Sequence, residues 1–161
     1  MFTNKSNSLM QLFTLVQKIE GKIKLQKIVF ILQEKKIINF DLDYKFAQFG
    51  PYSESLQIEI EYLSRIGFLK ETSSADLYVY ELNNDFPIKI EADYEINKNR
   101  DLILSLTQQE SQLLEVTSTI YYLKARHYKE KESIESKIRI LKPNLQDRIS
   151  HAFQLYSTLE S

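Results

Sequence analysis

The stretch FGPYSESLQIEIEYLSRIGFLKE, residues 49–71, holds two of the three glycines in the chain and one of its three prolines. A chain this poor in glycine has few places to turn sharply, so these residues punctuate strongly. Gly50-Pro51 reads as a turn, and Ser53 or Ser55 can cap the helix that follows. Leu56, Ile60 and Leu63 lie on one face of that helix, Ile66 extends it, and Gly67 ends it. Beyond Gly67, FLKE, the polar TSSAD and LYVYEL alternate as strand, turn and strand.

Upstream, a helix beginning near Asn7 or Ser8 would bury Leu9, Leu12, Val16 and Ile19, with Gly21 as its C-terminal cap. A second helix, KIKLQKIVFILQEK, would bury Leu25, Ile28, Val29 and Leu32, with Lys22, Lys24, Lys27 and Lys35 around that face. Lys24 and Lys27 read as solvated or paired with Glu20 and Glu34. Tyr44 and Phe46 flank Lys45 in a short extended segment. Helices followed by a β-hairpin follow the winged-helix order, so residues 1–86 are expected to form a winged-helix-like domain. Pro87 breaks any helix, and IKIEADYEI reads as an extended edge or linker, which makes 87–106 a connecting segment. Thr107 and Glu110 form a capping-box pattern that opens a helical region, 107–161. Its apolar positions are Leu113, Ile120 and Tyr121, then Ile134, Ile138 and Leu141, then Leu145, Ile149, Ala152, Phe153, Tyr156 and Leu159. The expected class is mainly α with a small β-hairpin (α+β).

A length of 161 residues suits one domain, or one small domain and an appendage. The absence of cysteine excludes disulfides and thiolate chemistry. No apolar run resembles a signal peptide or a membrane span, so a soluble, cytoplasmic protein is expected. No Walker A, G-x-G-x-x-G or G-x-S-x-G pattern occurs. Asp147 and His151 stand one helical turn apart, too few ligands for zinc, and His127 lies in a basic turn. The reading is non-catalytic, with no metal and no cofactor.

Charge separates the two ends. Residues 71–95 hold seven acids against Lys89 alone, and the Ser53–Gly67 helix carries Glu54, Glu59 and Glu61 against Arg65. Residues 124–142 hold seven Lys or Arg against three acids, although the whole chain is at −1. Duplex DNA presents about one charge per 1.7 Å of axis, so carboxylates on a reading helix and hairpin repel it. The sequence therefore favours a protein partner, met by Gly50, Pro51, Tyr52, Ser53, Glu54 and Glu61. The alternative is a DNA-binding regulator whose phosphate contacts come from Lys124, Arg126, Lys129, Lys131, Lys137 and Arg139. The C-terminal helices have enough apolar residues to form a homodimer, and the same residues would suit packing onto the first half.

KLQKIVFIL, FAQFGPYS and IEYLSRIGFLKE, in this order, resemble small bacterial proteins of the YwgA type. They are more distantly similar to the SocA-like Panacea antitoxin domain. Lys24, Leu25, Gln26, Lys27, Gly50, Pro51 and Tyr52 carry the resemblance, which covers roughly residues 8–82 and extends more loosely into the tail. It implies a non-catalytic module that restrains a toxin, or an accessory subunit of an antiphage defence complex, including those built round an SMC-like ATPase.

Overall fold

Thr3, not Asn7 or Ser8, opens the first helix. In the computed structural model, which describes residues 2–161, its hydroxyl accepts from the Ser6 amide and caps α1 (Asn4–Val16). The helix stops before Gly21 because Gln17 adopts φ +71°, and Lys18–Glu20 forms a strand, β1. Ile19 is buried in a sheet instead of on a helix face. Gly21, at φ +115°, turns the chain into α2 (Lys22–Glu34), and its N–H donates to the Tyr78 carbonyl at 2.6 Å.

Every residue of α2 from Leu25 to Leu32 is buried, Gln26 and Lys27 included. A helix with so little solvent face must be enclosed on all sides. β2 (Lys45–Ala47) and β3 (Gly50–Tyr52) form an antiparallel pair with Phe46 opposite Pro51. The turn falls at Gln48–Phe49, so Gly50-Pro51 opens a strand instead of making the bend. Ser53 caps α3 (Glu54–Arg65) through the Leu56 amide, and Leu56, Ile60 and Leu63 are buried as their spacing requires. After Gly67 come β4 (Leu69–Ser74) and β5 (Leu77–Leu82). With β1 they make an antiparallel sheet in the order β1-β5-β4, in which Ile19 pairs with Tyr80.

Residues 88–93 are irregular, but α4 (Tyr94–Lys98) and α5 (Arg100–Thr107) follow, and Ile96, Ile103 and Leu106 join the core of α1 and α2. Thr107 ends α5 and spends its hydroxyl on the Leu104 carbonyl, so the expected capping box does not form. The rest is α6 (Ser111–Ala125), α7 (Lys131–Leu141), a 3₁₀ turn (Pro143–Arg148) and α8 (Ile149–Glu160). The architecture mixes helix and sheet, mainly helical with a small antiparallel sheet.

α6 is a wall shared by two apolar clusters. Leu114 and Tyr121 belong to the large core around α1 and α2, whereas Val116, Ile120 and Leu123 pack against Ile134, Ile138, Leu145, Ile149 and Ala152. No helix among the described residues is long and apolar enough to cross a membrane.

Candidate functional site

The short β2–β3 hairpin is held by side chains from three distant parts of the chain. From α2, the Gln26 amide donates to the Ser53 carbonyl and accepts from the Ser53 N–H, both at 2.9 Å. One turn face further, the Lys27 ammonium donates to the Pro51 carbonyl at 2.7 Å. Lys27 is only 1% exposed, so the reading that it is solvated or paired with Glu20 or Glu34 is overturned. Lys24 instead donates to the Thr107 carbonyl at 3.2 Å.

From the other side come α6 and the residue after α7. Lys142 lies 2.8 Å from the Glu115 carboxylate, donates to the Gln48 carbonyl at 2.6 Å, and sits 5.2 Å from the Phe46 ring centroid. It is 5% exposed, so one of the seven bases of the 124–142 stretch is unavailable to a partner. Gly50 fits between these groups at φ +93°, and a Cβ there would stand 3.5 Å from Thr119 Oγ1 and 3.6 Å from both Glu115 Cγ and Lys27 Cε. Burial lowers the Lys27 ammonium to about 8; Glu115 works against that shift and Lys142 adds to it. A buried charge survives only with compensation, and one carboxylate here serves two ammonium groups.

In front of this cluster, α2, the hairpin and α3 enclose a cleft of about 530 Å³. Lys27, Ile23 and Gly50 line it, as do Tyr52, Phe49 and Glu61. Phe49, at the hairpin tip, is 47% exposed.

The structure brings Gly50, Tyr52 and Glu61 together on this cleft. Pro51 and Ser53 are buried behind it, and Glu54 is exposed in the first turn of α3. Among the basic residues, Lys124, Lys129 and Lys131 line a separate groove of about 550 Å³ with Phe153, Tyr156 and Glu160. The Lys124 and Lys131 ammonium groups lie 5.2 and 5.1 Å from the Tyr156 and Phe153 ring centroids. Arg126 stacks on Tyr122 at 3.6 Å. Arg139 pairs with Glu135 at 2.9 Å and, like the half-buried Lys137, lies outside the groove. Asp147 pairs with Arg148, and no three His, Asp or Glu among the described residues cluster to hold a metal.

Sequence reasoning missed Glu115, Lys142 and Phe49 as parts of the site. The available signal was a lone charge within an apolar run, Lys27 in LQKIVFIL and Glu115 in LLEVTST.

No family model matches the chain. It is 32% identical to the uncharacterized protein YwgA of Bacillus subtilis (strain 168), with 77% of each chain covered.

Proposed function

The chain belongs to the YwgA family, and from that premise we propose that it is a non-catalytic accessory subunit that binds a partner protein in the bacterial cytoplasm. The partner is a toxin or another subunit of an antiphage defence complex. The observation that carries this reading is the hairpin tip: Phe49 stays 47% exposed on a turn whose strands are pinned by Gln26, Lys27 and Lys142. A fixed, exposed aromatic beside an apolar cleft suits the centre of a protein interface.

The N-terminal half is read as winged-helix-like, supported by the order α1-β1-α2-α3-β4-β5 and the strand order β1-β5-β4. Exposed Glu54 and Glu61 on α3, with Glu71, Asp76 and Glu81 on the β4–β5 hairpin, favour a protein partner over phosphates. A second reading, DNA contact, draws on Lys124, Lys129 and Lys131 around their aromatic groove. It requires affinity that falls steeply with salt.

Affinity capture of the tagged chain from its host, with and without nuclease, tests the choice. The expected result is a stoichiometric protein that survives nuclease and is lost with Phe49→Ala. Recovery of the chain alone, or of nucleic acid alone, sinks the accessory-subunit reading.

A further inference from the structure

The sheet β1-β5-β4 has two edges of unequal length, three residues in β1 and six in β4. Along β5, the Tyr78 carbonyl accepts from Gly21 and the Leu82 N–H donates to Gln17. Its even-numbered residues therefore turn their backbone groups toward β1. The Asn83 N–H donates the other way, to the Phe68 carbonyl ahead of β4. In an antiparallel ladder this direction alternates from residue to residue. Lys70, Thr72 and Ser74 thus bond to Glu81, Val79 and Leu77, which stand opposite them in the register. The N–H and C=O groups of Glu71 and Ser73 point away from the sheet.

No turn, loop or side chain among the described residues bonds to the backbone of Glu71 or Ser73. β5 and α3 are the main neighbours of β4, and every residue from Lys70 to Ser74 is exposed. The strand has no proline and its register runs without a bulge, so it lacks two of the devices that blunt a sheet edge. Its charge selects what can cover it. Lys70 stands opposite Glu81 in the register, which leaves Glu71 unmatched. Glu71 and Glu61 of α3 both act on the Tyr80 hydroxyl, so the two exposed carboxylates flank the same part of the sheet. Neither forms an ion pair among the described residues. A second copy of the chain would bring the same carboxylates to the edge and be repelled.

We propose that β4 is a docking edge for one extended, basic segment of the partner protein, which adds a fourth strand to the sheet and sets a Lys or Arg opposite Glu71. Main-chain bonds to Glu71 and Ser73 hold the segment, and the carboxylates of Glu71 and Glu61 select its charge. The proposal names the partner's chemistry and so rests on the protein-partner reading, but its test needs no host protein.

Nuclear magnetic resonance on the isotope-labelled full chain supplies that test. The probe is an acetylated and amidated heptapeptide alternating valine with lysine, and the control alternates valine with glutamate. In the free chain, the Glu71 and Ser73 amides should exchange with solvent faster than those of Lys70 and Thr72. The lysine peptide should slow both severalfold and bind about fivefold or more tightly than the glutamate peptide at low salt. Glu71→Lys, at an exposed position, should remove that preference. Ser73→Pro deletes an outward N–H and leaves the ladder bonds in place, so it should abolish peptide binding with the fold intact.

No binding of the lysine peptide, equal binding of the two peptides, or shifts confined to another face overturns the proposal. Protection of Glu71 and Ser73 that grows with chain concentration in the absence of peptide also overturns it, because a second copy is then the occupant. Should Ser73→Pro fail to fold, Glu71→Lys still decides. Peptide binding at β4 with no protein captured from the host sinks the accessory-subunit reading and leaves the basic-strand edge standing. A captured protein with no peptide binding does the reverse.

Discussion

The two β-hairpins of this chain have opposite supports. β4–β5 has six residues in each strand and ladder hydrogen bonds along its length, but from Lys70 outward β4 is exposed. β2–β3 has three residues in each strand, too few to persist as an isolated pair. It is nevertheless the more deeply anchored, because Gln26, Lys27 and Lys142 bond its backbone and that of the adjoining residues. The long hairpin has a full ladder of its own, extended by β1 along β5, and the short one depends chiefly on side chains from elsewhere in the protein.

The contrast can be broken most sharply at Glu115. Glu115→Ala leaves Lys27 and Lys142 buried together without a counter-charge, and should cost about 3–5 kcal/mol in chemical denaturation. Next is Gly50→Ala, where a non-glycine residue forced to φ +93° should lose about 1–3 kcal/mol. Since the added methyl meets its neighbours at ordinary contact distances of 3.5–3.6 Å, the loss should come from backbone strain, with thermal melting still cooperative.

A third measurement uses pH. Burial lowers Lys27 to about 8, against an ordinary 10.5, so between those values the unfolded chain holds a proton that the folded one has released. Raising pH across that window therefore favours the folded state, by about 2 kcal/mol between pH 8 and 10. Burial raises Tyr80 to about 12 and also raises Tyr44 and Tyr121; these keep their protons in the fold and oppose the trend above pH 10. Denaturation curves of Lys27→Met, measured in parallel, remove their contribution. A native-minus-variant difference that does not change with pH would refute the lowered Lys27. The smallest effect belongs to the long hairpin: Glu71→Ala, at an exposed position, should shift stability by about 0.5 kcal/mol or less. A large loss there would erase the contrast.

What the sequence made legible follows the same division. α2, α3 and the β4–β5 hairpin carry their own periodicity, Gly67 marks the end of α3, and they form close to where those signals fall, whereas Gly21 opens α2 instead of closing α1. β1 was hidden because three residues, Lys18–Glu20, are too few to display a period, and their partners lie on β5. α4 and α5 were obscured by Pro87 and an acidic, mixed stretch. Their apolar positions Ile96, Ile103 and Leu106 matter only against α1 and α2. Within the candidate site, Tyr52 and Glu61 were legible from the Gly-Pro motif and the α3 pattern. The apolar run around Lys27 could signal its burial but not its partner, because that acceptor is a backbone carbonyl, and every residue type has one. The Glu115–Lys142 pair was equally silent, since nothing local links α6 to the end of α7.

The bond from Lys142 to the Gln48 carbonyl spans 94 positions of sequence. During synthesis, the residues of β2–β3 leave the ribosome long before the lysine that will hold their turn has been made. The most local piece of sheet in the protein must therefore wait for one of its most distant contacts, and contacts of such long range form late. Truncated or stalled chains would carry a loose hairpin turn and a Glu115 left with Lys27 alone. The finished tip thus reports that the C-terminal bundle is complete.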